Sequence, residues 1–399
     1  MYPSHPTVPP AITIWFRAGC LTAVLWICLP RSARAEDSLT YKFSSYAEGN
    51  SRIHVNSNYA VAQGDLGPDT SLKLMGVTDS IAGATPTGAI AATPGAPVPT
   101  GYMTDLRKAV NLDFTQQIKA VNFDLGYGVS KESDYLSHGW SINTLTDLNQ
   151  KNTRVLLGYA GTDDTIHEPK LGWASDRNKK GSNVIVGLTQ LADPDDSLTL
   201  NVTFGRLNGY LDDPYKIVST TMLNVDSGVY YTVPENRPRD KSTFSVYFGT
   251  NSNFANVAGA LETSYRYYHD TFGITSNTFG LRWLQGLGAG VTLEPSIRYY
   301  VQSAASFYYY NLDNAGVVTS YDAATGETGT GLAPYYSSDY RLSHLRTVDL
   351  GLKLSFAIVA DLAADVSVDV YDTSGLDKVT PHDAYPKATA FTLGLKYKF

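Results

Sequence analysis

The sequence predicts an all-β fold, a transmembrane antiparallel β-barrel of about sixteen strands, within a range of about fourteen to eighteen. Three observations carry this. Apolar and polar residues alternate along many short segments, the links between those segments sort by length, and the chain finishes on an alternating strand with a terminal aromatic.

Val121, Phe123, Leu125, Tyr127 and Val129 oppose Asn122, Asp124, Gly126 and Gly128. Val348 to Phe356 and Leu362 to Val370 alternate in the same way. Strand side chains point to opposite faces in turn, so each segment has one apolar and one polar side. Sixteen segments fit, at about 38–49, 52–62, 70–79, 104–116, 119–131, 136–147, 151–163, 181–191, 196–208, 241–252, 255–269, 275–285, 288–302, 344–358, 361–372 and 389–399. Those at 70–79, 136–147 and 181–191 alternate less cleanly.

Links after even-numbered segments are short: "QGDLGPD" (63–69), "QQIKA" (116–120), "DLNQK" (147–151), "ADPDDS" (192–197), "NSNFAN" (251–256), "QGLGAG" (285–290) and "VADLAA" (359–364). Within them "DPDD" (193–196) and "GLGAG" (286–290) read as tight turns. The long links, near 80–103, 164–180, 209–240, 303–343 and 373–388, all follow odd-numbered segments. A soluble sandwich has no reason to sort its loops by parity. A bacterial outer-membrane barrel has one, with short periplasmic turns and long extracellular loops. The bilayer also demands closure, because every backbone N–H and C=O in it must be paired within the protein.

The last segment, "AFTLGLKYKF" (390–399), then reads as the closing strand. Phe391, Leu393, Leu395, Tyr397 and Phe399 lie on its apolar side, and such an ending serves as an assembly signal for the outer-membrane insertion machinery. The beginning of the chain reads as an address. Arg17 precedes an apolar run, Ala18 to Leu29, followed by Ala33-Arg34-Ala35. A charged start, a short apolar stretch and a small-residue site describe a secretory signal, with cleavage expected after Ala35. The run is too short to span a bilayer as a helix. Leu25-Trp26-Ile27-Cys28 is a poor lipoprotein signal, since bulky residues stand where small ones are required. Residues 1–35 are thus read as a signal peptide and 36–399 as one barrel domain of the bacterial outer membrane.

Both cysteines, Cys20 and Cys28, fall in the signal, so neither a disulfide framework nor thiol chemistry is expected in the mature chain. Without Arg17, Arg31 and Arg34 the chain keeps 28 basic and 38 acidic side chains, a net charge of −10. That excludes nucleic acid as an expected partner. The expected partners are outer-membrane lipid and the assembly machinery. Porin trimers are common at this size, which leaves a homo-oligomer open.

Several blocks resemble a family of bacterial outer-membrane β-barrels catalogued as a domain of unknown function: "TDSIAGATPTGA" (78–89), "KESDYLSHGWS" (131–141), "GYLDDPYKIV" (209–218), "PENRPRDKS" (234–242), "YRYYHDTFGI" (265–274), "PSIRYYVQSAASFYY" (295–309) and "YYSSDYRLS" (335–343). The resemblance implies a barrel and no assigned activity.

With apolar faces toward lipid, Glu262, Ser264, Arg266 and Tyr268 on the eleventh strand face inward, as do Thr292, Glu294, Ser296, Arg298, Tyr300 and Gln302 on the thirteenth. Arg282 lies between them, placed nearer the periplasm, and Asp349, Lys353, Asp365, Asp369, Lys396 and Lys398 continue the lining. A sixteen-strand cylinder is about 30 Å across, too wide for side chains to fill. Rings of opposed charges set ion preference in such pores. The leading expectation is therefore a passive, non-enzymatic channel for small polar solutes, with Glu262, Arg266, Arg282, Glu294 and Arg298 as constriction candidates. The competing reading has these charges pairing to solvate the interior or to pin a plug loop.

The uncharged 83–101 stretch reads as a flexible surface loop, and the tyrosine-rich 303–343 link as a source of a plug. Tyr267, Tyr268, Tyr299, Tyr300 and Tyr308 to Tyr310 suit an interfacial aromatic girdle or, alternatively, a sugar-stacking surface. All six mature histidines (His54, His138, His167, His269, His344 and His382) map to the outer end. Ser264, His269 and Asp270 could imitate a hydrolytic triad, and His138, His269 and His344 a metal set, though no motif supports either. No cofactor is expected. A third reading is a docking or sheath barrel for a separate periplasmic or surface partner.

Overall fold

The computed structural model describes residues 37–91, 93, 95–167, 175–220, 231–315, 321–322, 327–328 and 335–399. The segment read as a signal peptide lies outside the described residues.

The alternating segments form strands β1 (Ser38–Glu48), β2 (His54–Gly67), β3 (Thr70–Pro86), β4 (Thr100–Ile118), β5 (Val121–Lys131), β6 (Tyr135–Leu148), β7 (Thr153–Ile166), β8 (Arg177–Leu191) and β9 (Asp196–Gly209). Two short strands follow, β10 (Ile217–Thr220) and β11 (Tyr231–Pro234). Then come β12 (Asp240–Phe254), β13 (Gly259–Asp270), β14 (Thr275–Gly288) and β15 (Val291–Gln302), the two-residue strands β16 (Tyr321–Asp322) and β17 (Glu327–Thr328), and β18 (Leu345–Val359), β19 (Leu362–Gly375) and β20 (Lys387–Lys398). Sixteen of these form one closed antiparallel barrel in chain order; β10–β11 and β16–β17 are separate hairpins within long loops.

Closure is made by the first and last strands. Strand β1 pairs with β20 from Ser38 opposite Lys398 to Glu48 opposite Ala388. The terminal aromatic side faces out, with Phe391, Leu393, Leu395, Tyr397 and Phe399 all exposed to the lipid side. Lumen-facing Thr392 donates instead to Ser44 Oγ across the seam, 3.1 Å away.

Several strands run further toward the long-loop end than alternation indicates. Strand β3 continues to Pro86 and β4 starts at Thr100, so both ends of the stretch read as a surface loop, 83–86 and 100–101, are ladder. Register pairing explains this: once Gly76 and Val110 are opposed, small residues such as Ala82, Gly83 and Ala84 keep pairing without needing apolar alternation. At the opposite end β2 extends to Gly67, which shortens the 63–69 link to the turn at Pro68-Asp69.

Leu393 sits mid-height on the lipid face of β20, between Phe43 and Val366. Leu393→Arg should therefore destabilise the barrel by about 2–4 kcal/mol in lipid, read from denaturant titration of the refolded protein, as for cations placed near the bilayer midplane.

Candidate functional site

Strand alternation sends Glu262, Ser264, Arg266 and Tyr268 of β13 into the lumen, along with Arg282 of β14 and Glu294, Arg298 and Tyr300 of β15. Their lipid-side neighbours Phe279, Leu281, Ile297 and Tyr299 are exposed. Arg282 stands directly opposite Glu262, not deeper, and donates to its Oε2 at 3.1 Å. Glu294 accepts from Lys353 at 2.9 Å. Arg298 lies opposite Asp349 and stacks over Tyr300, while Arg266 stacks over Tyr247. Further round the wall Lys42 meets Asp365 at 3.4 Å, Lys73 meets Asp113 at 3.3 Å and Arg107 meets Asp79 at 2.9 Å. The constriction candidates therefore belong to a wall of charges arranged mostly in cross-strand pairs.

The other sequence candidates are not brought together. Ser264 faces the lumen and His269, five residues on, faces outward and bonds Thr275. Asp270 points inward to Lys241 at 2.8 Å, so strand alternation itself separates the supposed triad. His138 lies on the outer face of β6 against Tyr127, five barrel positions from His269, and no metal set forms with His344. The girdle reading divides too. Tyr267 and Tyr299 face lipid, whereas Tyr268 and Tyr300 face the lumen and Tyr308 packs into an interior cluster with Phe272 and Phe307.

The most constrained chemistry lies in the long loops. By loop length, their end of the barrel is the outer end. The loop between β9 and β12 crosses the mouth. Its Tyr215 packs against Ile53 and Met103, with Tyr46, Val55 and Ile81 around it, on the wall formed by β1 to β4. That wall is five to eight positions round the ring of sixteen from β9, on the far side of the barrel. The loop between β15 and β18 meets it there, with backbone bonds between Asn236 and Tyr336 in both directions.

Where the loops meet, three acids and three bases form one buried knot. Arg237 contacts Glu235 at 2.7 Å and Asp339 at 2.9 Å; Arg341 contacts Asp213 and Asp339, each at 2.6 Å. Asp339 also caps a single helical turn, Tyr340–Leu342, by accepting from the Arg341 N–H. Lys216, only 2% exposed, donates to the Pro86 carbonyl at the top of β3 and lies over the Tyr340 ring. Ser337 donates to Glu235, and Ser338 donates to the carbonyls of Gly88 and Ile217. Gly88 has φ +95°, and a Cβ there would lie 2.2 Å from Ser338 Oγ. The 83–101 stretch is thus partly a packed support: Val98 is buried beside Tyr340 and Tyr385.

The knot is fastened to the wall at several points. Gln302 of β15 donates to the Arg341 and Ser343 carbonyls at 2.9 and 2.8 Å. Arg52, paired with Glu48 at 3.0 Å, lies over the Tyr340 ring, 5.8 Å from its centre, and donates to the Asp383 and Ala384 carbonyls. Burial shapes the electrostatics. It pushes the Glu235 carboxyl up to about 7 and raises that of Asp213, while it lowers Lys216. Burial opposes ionisation of Asp339 too, but Arg341, Lys216 and Arg237 overcome it and hold that carboxyl well below the usual range. None of the six knot residues was singled out from sequence, although all lie inside the blocks 209–218, 234–242 and 335–343.

Fold and mouth together define an outer-membrane β-barrel whose long loops cross its outer opening. The chain belongs to the family described as protein of unknown function (DUF3570), whose model matches residues 27–96, 92–175 and 168–399. No curated protein matches the chain in sequence. Among solved structures it is similar to a loop-deletion form of OmpT, an outer membrane protein of Vibrio cholerae, at 8% identity over 92% of this chain and 99% of that one, with a TM-score of 0.45. It is also similar to a mutant of the ferric enterobactin receptor PfeA of Pseudomonas aeruginosa, at 15% identity over 91% of this chain but only 60% of the receptor, TM-score 0.46. A third is OccK3 (OpdO) of Pseudomonas aeruginosa, at 10% identity over 92% and 95% of the two chains, TM-score 0.42.

Arg341→Ala would leave Asp213 and Asp339 buried without their shared cation. Removing one member of a buried pair costs about 3–5 kcal/mol. Limited proteolysis within 335–343 should therefore accelerate strongly while the barrel strands stay protected.

Proposed function

We propose that this protein is an outer-membrane channel for small polar solutes whose outer mouth is shut at rest by the ionic knot. The chain is exported on a leader removed after Ala35. The observation that carries the reading is where the closure comes from. It is built by two loops of the barrel itself, above a wide interior lined with paired charges, so releasing the loops opens a continuous polar path. A permanently filled barrel used only for docking would not need its seal built from balanced charges, which are a weak source of stability compared with apolar packing of the same volume.

Conductance of the refolded protein in a planar bilayer tests this. The unmodified barrel should be mostly silent, and Arg237→Ala with Arg341→Ala should give stable ohmic steps. With the mouth open, Arg266→Ala should move ion preference toward cations. A folded double variant that stays silent would overturn the channel and leave the docking reading.

The knot also sets a pH dependence. Glu235 takes up a proton on closure, because its carboxyl lies at about 7 when buried and at about 4.5 in water. A raised carboxyl stabilises the closed state at low pH and loses that contribution as pH rises through about 7. Asp213 shifts in the same direction, and Asp339, shifted oppositely, stays ionised across this window beside Arg237, Arg341 and Lys216. Open probability should rise between about pH 4.5 and about pH 7 and level off above that, and Glu235→Gln should flatten that rise.

A further inference from the structure

On the lipid-facing wall, Lys108 of β4 and Lys131 of β5 are direct register partners. Both are exposed, and both belong to the outward rows that carry Leu106, Val110 and Leu112 on β4 and Leu125 and Tyr127 on β5. Like charges placed directly opposite across a ladder are destabilising. Among the described residues neither lysine has an ion-pair or hydrogen-bond partner. Three other outward cations at this rim are neutralised, Lys180 by Asp163 at 3.1 Å, Arg206 by Asp240 at 2.7 Å and Lys387 by Asp372 at 3.5 Å, and Arg346 meets the Ser374 hydroxyl. The carboxylates closest in sequence, Asp105 and Glu132, gather instead with Asp134 on the lumen side, in the field of Arg107.

Height identifies what can reach this pair. Lys131 ends β5, ten residues above Val121 at the periplasmic turn. At about 3.3 Å per residue and a tilt of about 40°, that is about 25 Å along the barrel axis, the height of the apolar band of an outer-membrane barrel. Directly below sit Tyr127, bonded to His138 at 2.9 Å, and Trp140 against Tyr159, the aromatics that mark a membrane interface. The lysines therefore stand at the headgroup level of the outer leaflet. Thr78 of β3 lies opposite Lys108 on its other side and adds a hydroxyl donor to the same outward row.

We propose that Lys108 and Lys131, with Thr78 beside them, bind the phosphate of an anionic glycolipid of the outer leaflet. Register sets two ammonium groups and a hydroxyl in one outward row across three adjacent strands, at the level where such a phosphate lies, and its charge relieves the repulsion between the lysines. The acyl chains then run down the apolar row below.

The test titrates the full barrel in neutral detergent with diphosphorylated lipid A, with the same lipid stripped of phosphate, and with inorganic phosphate, reading binding by native mass spectrometry. The intact protein should hold the diphosphorylated lipid, and Lys108→Ala with Lys131→Ala should bind it about 10-fold more weakly. The phosphate-free lipid should bind as weakly to both proteins. Lys131→Glu should raise stability in lipid-free detergent, by replacing repulsion with attraction, yet abolish lipid binding. Equal binding by intact and substituted barrels overturns the proposal, as does equal binding of the phosphate-free lipid. Inorganic phosphate binding as tightly as the lipid would make this a free-anion site instead and would equally overturn it.

Discussion

Everything in this protein follows from one requirement, that no backbone N–H or C=O meeting lipid can be left unpaired. A sheet meets that requirement only by closing. Here closure falls on the seam between β1 and β20, where eleven residue pairs join the two ends of the sheet. Closure fixes register, and register fixes which residues face lipid and which face the lumen, since a slip by one would invert every side chain. The aromatic ending is thus a packing necessity: Phe391, Leu393 and Leu395 complete the apolar exterior where first and last strands meet.

A second consequence is width. Sixteen strands enclose more space than side chains fill, and the lumenal wall uses small residues and short polar ones that lie flat across neighbouring strands. Asn143 lies against Gly158 in this way, and Asn201 against Gly187. The interior is filled at its outer end by backbone from loops. Backbone folded into a mouth must find partners for its own polar groups, and Gln302, Ser338, Lys216 and Arg52 supply many of them. The knot gives the two loops a common joint: Asp339 is held at once by Arg237 and Arg341, each carried by a different loop.

The barrel was legible in the sequence because two-residue periodicity and loop parity are local, additive signals. Strands such as β5 and β18 alternate without interruption, and their boundaries agree with alternation to within two residues. The outer ends were less legible. Beyond Val77 the β3–β4 ladder no longer has lipid on one side and lumen on the other, so small and polar residues can continue it, and "AGATP" reads as loop although it pairs. Inward orientation of Glu262, Arg266, Arg282, Glu294 and Arg298 was available from alternation, but their cross-strand partners required register. The knot was hidden for a different reason. Asp213, Arg237 and Asp339 come from distant segments with no periodicity. Their one visible trace is that the family resemblance runs through charged blocks inside loops, where solvated surface would tolerate any polar residue.

The arrangement of charge sets the character of the lumen. Opposite charges on adjacent strands, such as Glu262 with Arg282 and Glu294 with Lys353, cancel at a distance of a few ångströms while leaving strong local dipoles. In water-filled space screening removes what remains beyond about 8 Å, so the wall presents polarity more than net sign. Strands β7 to β9 continue that logic with Gly158, Ala160, Gly187, Asn201 and Thr203 facing inward and no charge among them at mid-height. A wall of paired charges and a neutral polar wall together make the interior rich in hydrogen-bonding groups and poor in local net charge. At the mouth the loops, not the barrel, decide how much of the cross-section is free.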